Sequence, residues 1–512
     1  MPLPTGDMAW PPTDPAVQES MADWDAWYSS DPDRLVERYR LRGEKGYQNR
    51  PSQLRGGVVG RFARWWWGQP TALGEKRTKV HVPLAGDIAR TSSDLLFSEP
   101  PRITAEAGGD TQDQIETLMA TSLYPTLLEG GEVGAALGGT YYRVSWDTTV
   151  SDRPWITTVA ADGAWPEFRY GQLLAVTFWR VVCLDSETYW RHLERHERGV
   201  ILHGLYKGSR DRLGKQMPLS AQDDTKDLQP VIETGAPGHL TASYAPNVRP
   251  ARGWRHIPSA AYLGQSDYQG IEGIMDALDE TWSSWMRDLR LGKGRITLSG
   301  QYLTSNGVGN GVSADLDREV YDGLNIPPTN DGGITVSQFA IRVAEHRETA
   351  QSLVEQAVRQ AGYSAASFGA VGDGTAVTAT EIRARQGRSM TTRARKALYQ
   401  APAIADITAA WLAVMSGPLF SVPGLVVERP RVEFQDSVQE DPKVAAETIN
   451  LLDQAGAVST EIKVRMAHTD WDDDQVGAEV ARIIAETDRA PLADPAAIGE
   501  GGAGLEPPDV TA

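Results

Sequence analysis

The sequence predicts an α+β fold in which helices predominate and one region forms an antiparallel sheet. Apolar residues recur every three or four positions between residues 271 and 289, and again between 339 and 361, as in amphipathic helices. Between residues 155 and 206 they alternate every two positions, as in half-buried strands. With 512 residues, 41% of them hydrophobic, the chain can bury a large core divided among several regions.

Residues 1–78 form a predicted N-terminal arm that is rich in tryptophan. It carries Trp10, Trp24 and Trp27, with three further tryptophans at 65–67. Aromatic side chains at this density usually anchor a segment onto another surface. We favour packing on the chain's own core and keep a contact with another subunit as the alternative.

Residues 79–265 form a predicted α+β body. A helical pattern ends at the two prolines 100 and 101, and a second helix is predicted over Gln112 to Gly138. Period-two strands follow, with a turn at Arg198-Gly199. Prolines then become frequent between residues 223 and 258, which indicates loops and short strands.

Two long helices enclose a small insertion after this body. The first, at 266–291, has one apolar stripe, and the second lies at 339–361. The residues of the first stripe are Ile271, Ile274, Leu278, Trp282, Trp285 and Leu289. The insertion, 292–338, is rich in Gly and Asn and contains short β segments at Arg295 to Leu298 and Ile334 to Val336.

The last third of the chain begins with a glycine-rich loop at 362–378. A capping-box pattern at residues 378 to 381 starts a third long helix in region 379–432, and Pro402 is expected to kink it. Region 433–489 is strongly acidic, with 14 acidic and 4 basic residues between Glu433 and Asp488, and helices are predicted in it at Pro442 to Gln454, Thr460 to His468 and Gln475 to Thr487. The remainder, 490–512, has a composition typical of disorder.

The composition excludes several classes of protein. The net charge of −18 argues against a protein that coats DNA, because such binding depends on clustered Lys and Arg, but it suits a channel through which DNA slides without sticking. The single cysteine, Cys183, excludes an intrachain disulfide. We expect no membrane association, because no run of about 18 apolar residues and no signal-peptide pattern is present.

Motifs for catalysis and cofactor binding are largely missing from the sequence. It contains no GxxxxGK[ST] motif for a nucleotide and no GxSxG nucleophile elbow. The acidic stretch that starts at Asp470 lacks the glycine of a calcium loop, since Gln475 stands there, and has Ala481 in place of the final Glu. We therefore predict no catalytic residue, no metal site, no cofactor and no enzymatic activity.

One histidine pattern has the residue types of a metal site. His192, Glu194 and His196 alternate along a predicted strand, and His203 on the next strand could add a ligand. Exposed polar faces of hairpins often carry such residues, so the sequence favours a solvent-facing hairpin over a metal site.

A run of basic residues marks the third long helix. We predict that it forms a solvated or intersubunit face that pairs with acidic residues of a neighbour, with direct DNA contact as the alternative. The residues concerned are Arg383, Arg385, Arg388, Arg393, Arg395 and Lys396.

Several stretches, taken in order, resemble the portal proteins of long-tailed bacteriophages. They include VHVPLAGDIARTSSDLLFSEPP at 80–101, GQSDYQGIEGIMDALDETWSSWMRDL at 264–289 and GTAVTATEIRARQGRSMTTRARKALY at 374–399. Two more are TSLYPTLLEGGEVGAALGGTYYRVSW at 121–146 and AGAVSTEIKVRMAHTDWDDDQVGAEVARIIAE at 455–486. The resemblance covers roughly residues 79–488 and implies a mostly helical fold with wing, stem, clip and crown regions.

The resemblance assigns a role to each region. The body at 79–265 would be the wing, the two long helices the stem, 292–338 the clip and the acidic helices the crown. Clip residues that would contact the terminase motor or the adaptor are Arg295, Tyr302, Asn306 and Tyr321. Tunnel-loop residues that would face DNA are Ser364, Ser367, Phe368, Val371 and Asp373.

The resemblance also implies the partners and the location of the protein. It would form a homo-oligomeric ring, a dodecamer, with double-stranded DNA passing through the channel. It would meet the terminase large subunit, the head-tail adaptor, and the major capsid and scaffold proteins. It would reside at one vertex of the virion after assembly in the host cytoplasm.

The sequence also has two alternative interpretations besides a portal protein. A capsid-associated scaffold or minor head protein without a tunnel would share the acidic, cysteine-poor composition. A hydrolase would require a metal or nucleophile that the motifs do not supply.

Overall fold

The computed structural model divides the chain into two compact units, Met1–Gln435 and Asp436–Ala512, each described by itself. The described part of the first unit contains both sheets and long helices, whereas that of the second is helical. The residues that the structure describes are 3–44, 80–291, 295–299, 304–305, 312–313, 321–324, 335–337, 342–368, 379–434, 442–468, 471 and 473–489.

Helices dominate the chain before the sheets. They are α1 (Pro15–Tyr28), α2 (Pro32–Glu44), α3 (Leu84–Leu96), α4 (Gly109–Leu118) and α5 (Tyr124–Leu137). A π-helical turn at Met119–Leu123 joins α4 to α5, so the predicted helix from Gln112 to Gly138 is present with one local irregularity. A side chain at Gly131 would come within 2.8 Å of the Phe97 ring, so glycine permits α5 to approach α3 closely.

The tryptophans of the N-terminal arm that the structure describes pack on the chain's own core, which agrees with the interpretation that the sequence favours. Trp24 and Trp27 are buried on α1, and the indole of Trp24 donates a 3.0 Å hydrogen bond to Glu272. Trp10 is buried edge-on against Trp165 and other aromatic side chains of the sheet. The tryptophans at 65–67 lie outside the described residues.

Two antiparallel sheets form the β part of the body, and they confirm the predicted α+β class. The strands of this part of the chain, including β1, which lies outside these two sheets, are β1 (Arg102–Thr104), β2 (Gly139–Ser145), β3 (Trp155–Ala160), β4 (Ala164–Arg169), β5 (Gln172–Asp185), β6 (Thr188–Glu197), β7 (Val200–Ser209), β8 (Arg212–Met217), β9 (Val231–Glu233) and β10 (Ala242–Pro246). One sheet has the order β10-β2-β3 and the other the order β4-β5-β6-β7-β8, with β9 also paired to β7. The predicted turn at Arg198-Gly199 joins β6 to β7, and Gly199 has a positive φ of 81°.

The insertion lies between two helices, as predicted. The elements are α6 (Glu272–Leu291), β11 (Arg295–Ser299), β12 (Thr304–Ser305), β13 (Val312–Ser313), β14 (Tyr321–Leu324), β15 (Thr335–Ser337) and α7 (Val343–Ala361). β11 pairs with β14 in parallel and with β15 antiparallel. The two short strands predicted for this region are therefore present as β11 and β15 and are hydrogen-bonded to each other.

The longest described helix, α8 (Ala379–Ser416), runs through the first unit. It continues past Pro402, and its C-terminal half is almost entirely buried. The segment Gln386–Ser416 is long and apolar enough to cross a membrane, but 72% of its most apolar window is buried inside the fold, as in a core helix. β16 (Arg431–Glu433) then pairs antiparallel with β1.

Part of the basic run on α8 is buried, which corrects the prediction of a solvated or intersubunit face. Arg393 and Lys396 are buried because they share a helical stripe with Ser389 and Gln400, and that stripe faces the chain's own core. Arg393 donates to the carbonyl of Leu95 at 2.7 Å. The prediction of an accessible basic face thus fails at these two positions.

The other members of the basic run differ among themselves. Arg388 is exposed, and Arg395 is exposed but donates to the carbonyl of Arg249 at 3.1 Å. The side chains of Arg383 and Arg385 lie outside the described residues. An intersubunit or DNA-proximal role therefore remains a prediction for the accessible part of this helix.

Lys396 is the centre of a buried polar network. Its ammonium group donates to Asp267 and to Ser92, both at 2.6 Å, and the side chains of Lys396 and Asp267 are only 3% and 4% exposed. Tyr363 and Asn247 also donate to the carboxylate of Asp267, each at 2.8 Å. Burial lowers the pKa of Lys396, while Asp267 acts in the opposite direction.

This network joins five separate segments. Ser92 lies on α3, Asn247 follows β10, Asp267 precedes α6, Tyr363 follows α7 and Lys396 is on α8. Buried charges are tolerated only when they are paired and hydrogen-bonded, so these five segments must meet correctly for the first unit to fold.

The second unit contains described helices α9 (Pro442–Gln454), α10 (Thr460–Ala467) and α11 (Asp473–Arg489), which agree closely with the predicted acidic helices. Ser459 caps α10 by accepting a hydrogen bond from the N–H of Ile462. Arg465 pairs with Asp473 at 2.8 Å and so links α10 to α11.

Replacing Lys396 by Met is expected to destabilise the first unit strongly. The change leaves Asp267 buried without a counterion, which typically costs about 3–5 kcal/mol. The double variant Lys396→Met/Asp267→Asn should be more stable than Lys396→Met alone, because no buried charge remains. Chemical denaturation of the three proteins measures this.

The matched control is Arg388→Met on the exposed side of the same helix. It should change the free energy of unfolding by less than about 0.5 kcal/mol. Equal effects of Lys396→Met and Arg388→Met would show that the buried ion pair does not stabilise the fold.

Candidate functional site

The helices α6 and α7 pack side by side as a hairpin around the insertion. Asp288 on α6 accepts hydrogen bonds from Arg342 at 3.1 Å and from His346 at 2.9 Å. Burial opposes ionisation of Asp288, but the hydrogen bonds from His346 and Arg342 outweigh it and lower its pKa. These contacts hold the ends of α6 and α7 that are nearest to the insertion.

The apolar stripe predicted for α6 is only partly covered by the part of the chain that the structure describes. Ile271 and Leu278 are buried in the main core, whereas Trp282 and Trp285 are half-buried. Leu289, the last member of the stripe, is 39% exposed. The stripe therefore begins in the core and continues onto the surface.

Trp282 and Trp285 of this stripe line an apolar groove of about 410 Å³ between α6, α7 and the segment after α7, and Leu289 is the next member of the stripe along α6. The groove floor is lined by Trp282, Trp285, Ala350, Val354, Val358 and Phe368. Its rim carries the polar residues Arg347, Gln351 and Glu355. We call the surface formed by Trp282, Trp285, Leu289, Val354 and Phe368 the hairpin face.

The two tryptophans of the hairpin face are held rigidly. Their rings stack with centroids 5.0 Å apart, and the ring of His346 stacks on Trp285 at 6.1 Å. The indole N–H of Trp285 is buried and has no hydrogen-bond partner among the residues that the structure describes. Such a preformed apolar surface with a polar rim has the anatomy of a protein interface.

The first residues of the predicted tunnel loop are attached to α8. Ser389 on α8 accepts a hydrogen bond from the backbone N–H of Ser364 at 2.9 Å, and its hydroxyl lies 2.8 Å from that of Ser367. Phe368 packs edge-on against Tyr363. Gly362, with a positive φ of 102°, ends α7 and turns the chain toward α8.

These contacts attach the first residues of the loop to the fold. Ser364, Ser367 and Phe368 each contact other residues of the chain while remaining partly exposed, so a DNA-facing role stays a prediction for them. Val371 and Asp373 lie outside the described residues, and a DNA-facing role remains a prediction for them.

The structure places only part of the predicted clip. Arg295 and Tyr321 lie on the neighbouring parallel strands β11 and β14, where Tyr321 pairs with Ile296. Tyr302 and Asn306 lie outside the described residues. Contacts with a motor or an adaptor therefore stay a prediction for all four residues.

A second polar cluster lies inside the six-stranded sheet. Nε2 of His192 lies 3.0 Å from Nδ1 of His203. Glu194 accepts a hydrogen bond from Arg143 at 2.8 Å, and its other carboxylate oxygen lies 2.8 Å from Nε2 of His196. His192 and His203 are 4% and 8% exposed. The sequence argument that these residues belong to an exposed polar face is therefore wrong.

The environment of the cluster favours the neutral forms of His192 and His203. Burial and the proximity of His203 lower the pKa of His192 to about 4, and burial also lowers the pKa of His203. Burial opposes ionisation of Glu194, but His196 and Arg143 outweigh it and lower its pKa. At neutral pH the cluster thus contains neutral imidazoles beside an ionised carboxylate.

Similarity to known proteins is found among solved structures and not among sequences. No family model matches this chain, and no curated protein matches it in sequence. Among solved structures, the chain is similar to one described as "Neck of empty GTA particle computed with C6 symmetry", at 14% identity and a TM-score of 0.41. The match covers 80% of this chain and 99% of the other, but this TM-score is too low to constrain function.

Because these histidines are buried, we expect the protein to lose stability in mild acid. His192 has a folded pKa of about 4 and an unfolded value near 6.5, so only the unfolded state gains a proton as pH falls between these values. From pH 7.5 to 5, His192 should contribute a loss of about 2 kcal/mol. Urea denaturation in the presence of a chelator measures it.

His192→Gln should reduce this loss, because the titrating imidazole is gone. The control His256→Gln changes an exposed histidine and should keep the wild-type pH dependence. If the free energy of unfolding of His192→Gln and of His256→Gln changes equally with pH, the buried cluster does not cause the loss of stability in acid.

Proposed function

We propose that this protein is the portal subunit of a phage-like particle. In this role it forms a ring at one capsid vertex, through which double-stranded DNA is packaged and ejected, and it serves as the docking platform for the terminase large subunit and the head-tail adaptor. The observation that carries the proposal is the hairpin face, an apolar surface on α6 and α7 that the residues described by the structure leave uncovered.

A second copy of the chain is the occupant that suits the hairpin face best. Both long helices flank the same insertion, so identical hairpins set around an axis could each place a helix on the neighbour's face. Trp282 and Trp285 are large rigid anchors of the type that dominates the energy of interfaces. The charged rim formed by Arg347 and Glu355 carries both signs, which suits contact between like subunits.

The order of elements supports the portal proposal over a scaffold without a tunnel. The chain has a helix, a small β insertion, a second helix, a glycine-rich segment and a third, long helix in that order. A portal needs a hairpin that extends from its body, together with a loop at the base of that hairpin. The turn at Gly362 and the hydrogen bond between Ser389 and the segment after α7 support the proposal of such a loop between α7 and α8.

Charge supports a conduit that does not grip DNA. A net charge of −18 disfavours stable contact with phosphates, and a channel through which DNA slides must release every contact that it forms. We propose that the protein has no ATPase activity of its own and that a motor on a different chain moves the DNA. The absence of a GxxxxGK[ST] motif from the sequence supports this division of labour.

Leu289→Glu tests the hairpin face directly. Leu289 is exposed in the single chain, so the variant should fold normally, but assembly would bury an unpaired carboxylate at a cost of several kcal/mol. We expect the oligomer that wild-type protein forms to dissociate to monomers at least tenfold more readily. Light scattering during size-exclusion chromatography measures the mass.

The matched control is Val150→Glu, which introduces the same charge at a residue that is 74% exposed and distant in sequence from the hairpin. Val150→Glu should assemble like the wild type. Normal assembly of Leu289→Glu would exclude the hairpin face as the subunit contact. Wild-type protein that stays monomeric under all assembly conditions would refute the portal proposal itself.

A shortened loop should separate assembly from DNA transport. Because Ser364, Ser367 and Phe368 are attached to the fold, the deletion should start after them and remove residues 370–375 only. We expect the oligomer to form normally but packaging or retention of DNA to fall. The control replaces the same six residues by a Gly-Ser segment of equal length.

The measurement is the amount of nuclease-protected DNA in assembled particles. If the deletion abolishes oligomer formation, the loop is a structural joint. If packaging is unchanged, the loop does not act on DNA.

A further inference from the structure

The buried cluster on β6 and β7 is not needed for the proposed ring, and it has the composition of a metal site. We propose that His192, Glu194 and His203 bind one transition-metal ion of the zinc class, which cross-links β6 to β7. The ligand atoms of these three side chains all lie within 4.8 Å of one another.

Strand pairing brings the three ligands together. Glu194 and His203 are directly opposite each other on β6 and β7, and His192 precedes Glu194 by two residues, so its side chain emerges on the same face. Both strands are internal to the six-stranded sheet. The backbone that carries the ligands is therefore fixed by hydrogen bonds on both sides.

The distances are close to those that a metal requires. A tetrahedral zinc ion with bonds of about 2.0–2.1 Å separates its ligand atoms by about 3.3 Å. Nε2 of His192 and Nδ1 of His203 are 3.0 Å apart. Small side-chain rotations would bring the carboxylate of Glu194 to the same spacing.

The protonation states favour metal binding. Neutral imidazole and ionised carboxylate are the forms that coordinate a metal, and both prevail here at neutral pH. In the metal-free cluster one of the two facing nitrogens carries the hydrogen that they share. That ring would take its other tautomer, so that each nitrogen presents a lone pair to the ion.

Further side chains orient the carboxylate, as outer-shell groups do in metal sites. His196 contacts Glu194 through Nε2 and Thr241 through Nδ1, each at 2.8 Å. Arg143 donates to the other oxygen of Glu194 at 2.8 Å. The positive charge of Arg143 opposes a cation, so binding should be weaker than in a site that lacks such a neighbour.

The chemistry of the ligands selects the type of ion. Two imidazoles and one carboxylate suit Zn²⁺, Ni²⁺ or Cu²⁺, whereas Mg²⁺ and Ca²⁺ prefer oxygen ligands alone. Glu194 is 19% exposed, so water can reach the site and occupy the remaining coordination position. The inferred role is structural, because the ion would join the two middle strands of the body.

The test uses the full chain without a histidine tag. After chelation and exchange into metal-free buffer, the protein is titrated with Zn²⁺ in a calorimeter, and bound metal is measured by elemental analysis after dialysis. We expect about one Zn²⁺ per chain and a higher unfolding temperature with Zn²⁺ than without it. Mg²⁺ at the same concentration should have neither effect.

His203→Gln removes one ligand, and His256→Gln is the matched control at an exposed histidine outside the cluster. Loss of an outer-shell group costs roughly 10- to 100-fold in affinity, so loss of a ligand should cost more than that, whereas His256→Gln should bind like the wild type. Wild-type protein that retains no Zn²⁺ overturns the proposal. Equal binding by wild type and His203→Gln also overturns it, because the ion would then bind elsewhere.

Should His203→Gln fail to fold, His196→Gln provides a milder variant, because it alters a group that contacts Glu194 and leaves all three ligands in place. It should retain binding with an affinity roughly 10- to 100-fold lower. Circular dichroism without metal shows whether each variant is folded, so weak binding can be distinguished from unfolding.

Discussion

The buried ion pair between Lys396 and Asp267 is the contact on which the rest of the first unit depends. A lysine and an aspartate are costly to remove from water, and here each is almost completely buried. Their burial is tolerated because Ser92, Tyr363 and Asn247 complete the hydrogen bonds around them. The pair therefore specifies how the segments meet more than it adds to their stability.

The position of the pair explains how the hairpin is oriented. Asp267 lies just before α6 and Tyr363 just after α7, so the network fixes both base ends of the hairpin against α8. Asp288 holds the other ends of the two helices together. The hairpin is thus restrained at its base and near the insertion, and its apolar face is presented with a defined geometry.

The uncovered face has a physical cause in the sequence. The apolar stripe of α6 is longer than the core that it enters, so Ile271 and Leu278 are buried while Leu289 remains accessible. An exposed patch that contains stacked tryptophans is costly in water and usually marks an interaction surface. If the protein forms a ring, a second copy of the same chain covers this patch, and no different protein is required.

Much of the fold could be predicted from periodicity alone. The stripe of α6, the hairpin turn at Arg198-Gly199, the β segments of the insertion and the acidic helices depend on local sequence, and the structure confirms them. The fate of the basic run could not be predicted in this way. Charge along one helix does not reveal that Lys396 meets Asp267, which lies 129 positions earlier.

The burial of the histidine cluster could not be predicted from the sequence for a related reason. Alternation along β6 correctly puts His192 and Glu194 on one face, but it does not tell whether water or another sheet covers that face. Arg143 from β2 covers it, and this contact links residues 51 positions apart. The sequence predicts the apolar stripe on α6 that contributes to the hairpin face. It does not predict which residues of the stripe are exposed, because that depends on where the core ends.

Rotationally averaged electron micrographs of the purified full-length protein test the central claim most directly. The portal account predicts closed rings with one axis of symmetry, a central channel and the α6–α7 hairpins in contact around it. Monomers, open filaments or closed particles without a channel would contradict it.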